Sequence, residues 1–499
     1  MSLPLSPTAQ VSTSPHPVFH NYIDGQWCAS VSRETFTSTN PAHTQEVVGL
    51  FQKSTVADLD QAIEVARRAQ RGWAHTPAPV RAEVLMRVAQ LLAEHEDEFA
   101  QIMTREMGKT LKETHGDVQR AIDVARFMAG EGRRAEGETI PSALPNRFDL
   151  TVRHPHGVVG IITPWNIPLA IPAWKTFPAL LAGNAVVLKP ASDTPLITLK
   201  LAELLTEAGL PAGVFNVITG PGGSLGEALI RHKGINMISL TGSTEVGRHV
   251  AEVCGYDLRR CTLELGGKNA AIVFEDANLD VAVNSIIGGA FGTAGQRCTA
   301  TSRVIVQKAV LPELTERLVA EAERLRVGDG LDADVQMGPL VNQGRIKAVH
   351  HYTESGLDEG ATLVTGGGPV MTDALQDGAF YQPTIFTDVA PSMKIAREEV
   401  FGPFIALLPV STYEEAIQIA NDTDYGLSTS IFTNDARLTF RAIRELETGL
   451  IMFNNASTES EIHMPFGGMK TSGNGHRELG RKAVEEFSEI KSIFISYPA

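Results

Sequence analysis

A chain of 499 residues is longer than a single hydrophobic core supports, so we expect two or three domains. Its composition, 43% hydrophobic and 20% charged, is typical of a globular enzyme and excludes a fibrous or disordered chain. The net charge of −15 repels polyanions, which argues against nucleic acid as a partner.

The cysteine pattern and the termini indicate a compartment. No cysteine belongs to a C-x-x-C pair, so we predict neither a disulfide framework nor a metal site, and a reducing, cytoplasmic location follows. The N-terminal MSLPLSPTAQVSTSPHP has no basic segment before an apolar core and is interpreted as a frayed leader. The longest apolar run, 158–174, contains three prolines and Asn166, so no membrane span is expected.

The first third of the chain is predicted to be mostly helical. An Asp-Gly turn within HNYIDGQW, just after Phe19, predicts a short hairpin. Apolar residues at helical spacing then predict amphipathic helices over 56–73, 80–104 and 111–129. The polar, extended segment 136–154 predicts an arm outside the main core.

Two β/α alternations follow this arm. The first has apolar strands at about 158–163, 185–189, 215–219 and 235–240, which predicts a parallel sheet covered on both faces. The second begins at Asn269 and runs through the strand-like segments RVIVQ, ATLVTGG, FIALLPV, LSTSIFT and GLIMFNN. The tail FSEIKSIFIS returns to strand-like alternation.

Three features of the first alternation point to a dinucleotide. Gly220, Gly222 and Gly226 in TGPGGSLG resemble a phosphate-binding fingerprint loosely. In TGSTEVG, Gly242 allows close backbone approach and Ser243 with the following helix N-terminus offers donors to a pyrophosphate, although the same residues also fit a plain helix cap. Lys189 ends a strand where ligands bind in open α/β sheets, or it is simply a solvated lysine.

Two residues are candidates for covalent catalysis. Cys298 ends the glycine-rich turn FGTAGQRC, where a thiol that small residues leave accessible is either a nucleophile or an inert core cysteine. Glu264, in TLELGGKN, precedes two glycines and is either a partly buried base with a raised pKa or a surface acid.

Seven motifs in order resemble the aldehyde dehydrogenase superfamily from about Phe19 to Tyr497. They are TPWNIP, LKPAS, TGSTEVG, LELGGK, FGTAGQRC, EEVFGP and PFGG. The resemblance implies an α/β fold with a Rossmann-type cofactor domain (18–133 and 156–266), an oligomerisation arm (134–155), an α/β catalytic domain (267–470) and a C-terminal segment with an oligomerisation strand (471–499).

The resemblance also implies roles for single residues. Cys298 corresponds to the nucleophile, Asn166 to the oxyanion donor and Glu264 to the base that activates water against the thioester. Positions that match cofactor contacts are Trp165, Lys189, Ser192, Gly222, Gly226, Gly242, Ser243, Glu399 and Phe401. An apolar substrate channel would be lined by Ile167, Ile171, Trp174 and Phe466, for which ordinary core packing is the alternative.

The choice of cofactor and substrate depends on details of the motifs. NAD-preferring relatives commonly carry a glutamate where this chain has Ser192, and a hydroxyl beside Lys189 tolerates a 2′-phosphate, so we predict that NADP is accepted as well as NAD. Arg297 either anchors a substrate carboxylate or caps local carbonyls, and KPASDTP with the tail EIHMPFGG resembles the 2-oxoglutarate semialdehyde dehydrogenase branch. Aliphatic and aromatic aldehydes remain alternatives.

A different class of function is a non-catalytic protein or a thiol esterase on the same fold. The presence of Asn166, Glu264, Cys298 and Glu399 together argues against a loss of chemistry. Through the segments 136–154 and 487–497, the resemblance further implies a homodimer or homotetramer.

Overall fold

The computed structural model describes residues 14–134, 137–372 and 374–498. Most of the predicted N-terminal leader lies outside these residues. The strands, in chain order, are β1 (Val18–Phe19), β2 (Asn21–Ile23), β3 (Gln26–Cys28), β4 (Thr35–Asn40), β5 (His43–Gln52), β6 (Thr139–Ile140), β7 (Arg147–Pro155), β8 (Val158–Ile162), β9 (Ala185–Lys189), β10 (Phe215–Val217), β11 (Met237–Thr241), β12 (Arg260–Glu264), β13 (Asn269–Val273), β14 (Thr301–Gln307), β15 (Thr362–Thr365), β16 (Thr384–Thr387), β17 (Phe404–Val410), β18 (Tyr425–Gly426), β19 (Ser428–Phe432), β20 (Leu450–Phe453), β21 (Met469–Lys470) and β22 (Ser488–Ser496).

The helices separate these strands. They are α1 (Val56–His75), α2 (Ala78–Glu94), α3 (Glu96–Met107), α4 (Leu111–Glu131), α5 (Ala170–Ala182), α6 (Leu196–Glu207), α7 (Glu227–Arg231), α8 (Thr244–Tyr256), α9 (Leu279–Phe291), α10 (Leu311–Arg324), α11 (Gln343–Asp358), α12 (Lys394–Arg397), α13 (Tyr413–Asn421), α14 (Ala436–Glu445) and α15 (Gly480–Glu486). A π-helical turn, Gly222–Gly226, precedes α7, and a 3₁₀ turn, Gly292–Gly295, follows α9.

The first large sheet has the order β12-β11-β8-β9-β10-β2-β3, and its first five strands are parallel. Numbered along the chain, these five strands have the order 3-2-1-4-5 of a Rossmann-type sheet, as predicted. The order reverses between β8 and β11, which pair through Ile161 and Ser239. A ligand crevice is expected beyond the carboxyl ends of these two strands.

The second large sheet has the order β15-β16-β17-β14-β13-β19-β20, and only β15 runs antiparallel to its neighbour. Its central strands β13, β14 and β17 are apolar and almost fully buried, because helices cover both faces. The mixed α/β architecture agrees with the fold class predicted from the sequence. The domain boundaries drawn above stay a prediction.

Local signals account for the N-terminal elements. The hairpin of β2 and β3 turns at Asp24 and Gly25, which both have positive φ, as an Asp-Gly hairpin turn requires. The single helix predicted over 80–104 is wrong at its centre. The structure has two helices, α2 and α3, which meet at His95, where φ is −111° and ψ is 19°. The strands β4 and β5 and the helix α11 were not foreseen.

The predicted arm is a three-stranded sheet of order β22-β7-β6. β22 pairs antiparallel with β7 along its whole length, from Ser488 opposite Pro155 to Ser496 opposite Arg147. This sheet leaves large apolar side chains exposed, among them Phe148, Ile490 and Phe494. None of the helices in the described part of the chain is long and apolar enough to cross a membrane.

Candidate active site

Cys298 lies where two cavities meet. One, of about 200 Å³, extends toward α4 and contains Glu264 among its lining residues. The other, of about 260 Å³, lies beyond the carboxyl ends of β8 and β11 and is lined by Asn166 and Glu399. Thr241 and Cys298 line both cavities. A group bound in either cavity therefore reaches the same thiol.

Contacts from two other elements fix the turn that carries Cys298. Asn269, in β13, donates its side-chain amide to the Cys298 carbonyl at 2.7 Å and to the Ala300 carbonyl at 2.9 Å. A side chain at Gly267 would place its Cβ 2.5 Å from the Cys298 carbonyl, so only glycine fits there. Glu113, near the start of α4, accepts the Thr293 N–H at 2.5 Å.

The thiol of Cys298 is only partly exposed, and its surroundings favour the protonated form. Burial, and then the negative charges of Glu264 and Glu399, raise the pKa of Cys298 to about 12. To become a nucleophile, the thiol therefore has to lose its proton to a nearby base, or bound ligands have to stabilise the thiolate.

Asn166 is buried in the loop after β8. Its side-chain amide donates to the Gln296 carbonyl at 2.9 Å, which ties this loop to the turn that carries Cys298. The loop lies at the point where the sheet order reverses, so the fold places an amide donor beside the thiol's cavity.

Glu264, the last residue of β12, is 3% exposed, so its interpretation as a surface acid is wrong. Neither carboxylate oxygen has a hydrogen-bond partner among the described residues. Burial, reinforced by the charge of Glu478, raises the pKa of Glu264 well above its usual value, and Lys175 and Arg477 oppose that rise. A buried carboxylate of this kind takes up a proton readily.

No local sequence pattern predicted the charged residues that surround Glu264. Lys175 is fully buried in α5, bonds Glu478 and donates to the Ser239 hydroxyl at 3.0 Å. It is the single charged residue of an otherwise apolar helix, AIPAWKTFPALLA, and that isolation was the available signal. His476 Nε2 lies 3.6 Å from Glu264 Oε1.

The cavity beyond β8 and β11 brings together most of the predicted cofactor contacts. It is lined by residues of three loops, among them Trp165, Gly242, Ser243, Glu399 and Phe401. The Trp165 and Phe401 rings meet edge to face, with centroids 5.4 Å apart. Ser243 caps α8 by accepting the Val246 N–H at 3.4 Å, so the helix-cap interpretation holds as well.

Glu399 is held at this cavity by the backbone. Its Oε1 accepts the Gly267 N–H at 2.9 Å, and a Cβ at Gly266 would lie 2.5 Å from its Oε2. Burial raises the pKa of Glu399 to about 7, while Lys268 and Arg345 oppose the rise. The carboxylate is thus positioned to accept hydroxyl donors from a ligand.

The remaining predicted cofactor residues lie apart, at the ends of β9 and β10. Lys189 is buried, not solvated, and donates to the Pro190 carbonyl at 2.9 Å, and burial lowers its pKa to about 8. The Ser192 hydroxyl donates to the Gly220 carbonyl at 3.1 Å. A Cβ at Gly226 would lie 3.9 Å from the Lys189 side chain, and one at Gly222 would meet open space.

These features fit a dinucleotide. The open space above Gly222, the buried Thr241 hydroxyl that lacks a partner among the described residues, and the N-terminus of the thirteen-residue helix α8 suit a pyrophosphate with its riboses. Within the described part of the chain, no group of three or more His, Cys, Asp or Glu side chains could hold a metal ion.

The predicted substrate residues all line the cavity on the other side of Cys298. They are Ile167, Ile171, Trp174, Arg297 and Phe466. Trp174 and Phe466 pack with ring centroids 5.5 Å apart and are both buried. Trp174 and Phe466 can therefore belong to the core and also line the channel, because one face of each side chain borders the cavity.

Arg297 points back toward its own turn. Its Nε donates to the Thr293 hydroxyl at 3.0 Å, and an Nη lies 3.6 Å from Glu113 Oε1. The expected bond to local carbonyls is replaced by a hydroxyl and a carboxylate. Sequence reasoning missed Glu113 and Arg120, which reach this cavity from α4, because long-range packing alone brings them there.

Comparisons with known proteins point to one family. The sequence profile of the aldehyde dehydrogenase family matches residues 27–493 of this chain. The alpha-ketoglutaric semialdehyde dehydrogenase of Bacillus subtilis is 42% identical over 475 residues, which is 95% of this chain and 97% of that protein. The alpha-ketoglutarate semialdehyde dehydrogenase of Haloferax volcanii is 43% identical over 478 residues, 96% of this chain and 99% of that protein.

A solved structure extends the comparison to three dimensions. The betaine aldehyde dehydrogenase of Staphylococcus aureus, crystallised in complex with NAD+, superposes with a TM-score of 0.93 at 36% identity. The match covers 96% of this chain and 95% of that one.

Proposed function

Because this chain belongs to the aldehyde dehydrogenase family, we propose that it oxidises a semialdehyde of the 2-oxoglutarate semialdehyde class to the acid, with NAD or NADP as hydride acceptor. The arrangement that carries the proposal is the position of Cys298 between a cavity at the carboxyl ends of β8 and β11, where the sheet order reverses, and a second cavity that contains Glu264. The names of the two relatives support the substrate class.

The first half of the proposed reaction takes place at Cys298. The thiol gives up its proton to water, the sulfur attacks the aldehyde carbon, the C=O π bond breaks, and the resulting oxyanion accepts hydrogen bonds from the Asn166 amide and the Cys298 backbone N–H. A bound nicotinamide ring supplies the acceptor for the hydride that leaves the same carbon. The chain is left with an acyl group on sulfur as a thioester.

The second half is hydrolysis. Glu264 takes a proton from water, the hydroxide attacks the thioester carbon, and the C–S bond breaks to release the acid and the Cys298 thiolate, after which Glu264 returns its proton to solvent. The raised pKa of Glu264 suits this role, because a carboxylate with a raised pKa takes a proton from water more readily than an ordinary one. Lys175, which forms an ion pair with Glu478, places a positive charge near the Glu264 carboxyl group.

Ser192 supports acceptance of NADP. A glutamate at this position would repel a 2′-phosphate, whereas the Ser192 hydroxyl leaves no negative charge there. Lys189 lies on the same sheet edge, and its ammonium group would pair with the phosphate. We propose that both cofactors are used.

The assembly and location are proposals as well. The arm formed by β7 and β22 carries exposed apolar side chains, which favours burial against another copy of the chain in a homodimer or homotetramer. The four cysteines are free, which supports the reducing environment of the cytoplasm.

A panel of aldehydes tests the proposed function. Purified enzyme is assayed with 2-oxoglutarate semialdehyde, succinic semialdehyde, pentanal and benzaldehyde, each with NAD and with NADP, by absorbance of the reduced cofactor. The proposal predicts the highest kcat/KM for the semialdehydes. A preference for pentanal or benzaldehyde, or activity with none of the four, would contradict it.

A further inference from the structure

The substrate cavity contains more charge than its apolar walls suggest. Arg297 and Glu113 line it together, and their separation of 3.6 Å leaves the pair close to neutral. The Glu113 carboxylate also accepts hydrogen bonds from the backbone N–H of Thr293 and, at 3.0 Å, from the backbone N–H of Thr110. Arg297 is therefore committed to holding the turn of Cys298.

The other acids of the cavity are also paired. Asp117, one turn along α4, forms an ion pair with the buried Lys109. Glu478 is bonded to Lys175, and burial raises the pKa of Glu264 well above its usual value, which disfavours a negative charge there. These pairings leave the cavity without a free anion among the described residues.

Arg120 is the exception. It lies on the face of α4 that lines the cavity, and its hydrogen bond goes to the Ser460 hydroxyl at 2.7 Å. No described carboxylate forms an ion pair with it, and Asp117, three residues earlier, is turned to Lys109. A partly buried guanidinium that no described carboxylate neutralises is available to pair with an anionic ligand.

We propose that Arg120, with the Ser460 hydroxyl, binds the carboxylate of the substrate at the end of the cavity away from the cofactor. A guanidinium binds a carboxylate through two parallel N–H donors, and the Ser460 hydroxyl, which accepts from Arg120, can still donate its own proton. The ligand class is an ω-aldehyde acid whose aldehyde reaches Cys298 while its carboxylate reaches Arg120. This inference rests on the proposed function and specifies which residue reads the substrate.

The test compares two substrates of equal chain length. For the parent enzyme and Arg120→Met, kcat/KM is measured with 2-oxoglutarate semialdehyde and with pentanal, and the ratio of the two values is taken. Methionine keeps the length and removes the charge. We expect the ratio to fall about 10- to 100-fold, which corresponds to the loss of a charge-assisted hydrogen bond. Arg120→Lys, which keeps one charge, should retain an intermediate ratio.

A matched control is available on the same helix. Arg126 is exposed and pairs with Asp123, so Arg126→Met makes the same chemical change outside the cavity and should leave the ratio as in the parent. The dissociation constant of glutarate, measured by titration calorimetry on each cofactor-bound enzyme, should rise in Arg120→Met and not in Arg126→Met. Thermal unfolding reports whether each variant is folded.

The outcomes distinguish the role of Arg120 from the proposed oxidation of semialdehydes. A parent enzyme that prefers the semialdehyde, with an unchanged ratio and unchanged glutarate affinity in Arg120→Met, would overturn the role of Arg120 and leave the proposed function standing. A parent enzyme that oxidises pentanal equally well would overturn both. If Arg120→Met fails to fold, an unchanged ratio in Arg120→Lys would count against the inference and a reduced one would support it.

Discussion

His476 Nε2 lies 3.6 Å from Glu264 Oε1, and both side chains are at least nine-tenths buried. His476 Nδ1 lies 2.5 Å from the Asn474 Oδ1, an acceptor that also takes the Leu263 N–H at 3.1 Å, so the ring proton is on Nδ1 and the nitrogen nearer the carboxylate, Nε2, is unprotonated. Burial, with the positive charges of Lys175 and Arg477, lowers the pKa of His476 to about 3, so the ring is neutral at the pH of catalysis. The unprotonated Nε2 offers an acceptor to the carboxyl proton, which favours the protonated form of the proposed base.

Removing this acceptor should change the pH dependence of turnover. In His476→Phe, the protonated form of Glu264 loses a nearby acceptor, so the pKa of Glu264 should fall and the acidic limb of kcat against pH should move downward by about 0.5 to 1 unit, the equivalent of one hydrogen bond. The exposed His75 provides the control, His75→Phe, for which no movement is expected. If the acidic limb of kcat against pH does not move in folded His476→Phe, then His476 does not influence the ionisation of Glu264.

Glu264 should also make stability depend on pH. Its pKa is near 4.5 in the unfolded chain and well above that in the folded protein, so the folded state binds the proton more tightly. The stability that Glu264 contributes is present below pH 4.5 and is lost as pH rises through the folded pKa, at about 1.4 kcal/mol for each unit.

Glu264→Gln removes this ionisation while preserving the shape of the side chain. The variant should gain stability relative to the parent as the pH rises from about 5 to about 9, because burial of the charge is no longer required. Thermal unfolding of both proteins across that range measures the difference. A difference in Tm that stays constant with pH would show that Glu264 titrates normally in the folded state.

Ser192 should control the choice of cofactor. In Ser192→Glu, the carboxylate would repel the 2′-phosphate, so kcat/KM for NADP should fall by about 100-fold or more. The value for NAD should change little and serves as the internal reference. In the parent enzyme, an NAD preference above about a hundredfold would end the idea that NADP is a working cofactor.

Asn166 is expected to act on the rate of chemistry. Asn166→Ala removes one oxyanion donor, so kcat should fall by about 10²- to 10³-fold with a smaller change in KM. Single-turnover measurement of the reduced cofactor separates this step from product release. Unaltered single-turnover rates would mean that Asn166 only supports the loop through its bond to Gln296.

The sequence allowed prediction of those features that short segments encode. Strand runs such as AVVLK, the Asp24-Gly25 turn and the ordered motifs around Cys298 were sufficient for the fold class and for part of the set of residues that line the two cavities. Arg297 lines one cavity, but its direction depends on Glu113, which lies 184 positions away.

The remainder depends on contacts between distant segments. The buried group of Lys175, Glu478 and Glu264 joins three separate elements, and no local pattern pairs a lysine in one helix with an acid about 300 residues later. The break between α2 and α3 at His95 was missed because the apolar spacing continues across it. Arg120 was unremarkable in the sequence because it occupies one position of an amphipathic helix.

The acyl group on Cys298 is the most direct observable of the account. Glu264→Gln, mixed with 2-oxoglutarate semialdehyde and NADP, should release at most one equivalent of reduced cofactor per chain and then stall. Intact-protein and peptide mass spectrometry should find the acyl mass on Cys298, and Cys298→Ala should show neither the burst nor the adduct. Continued dehydrogenase turnover in Cys298→Ala, or an adduct on another residue, would contradict the assignment of Cys298 as the nucleophile.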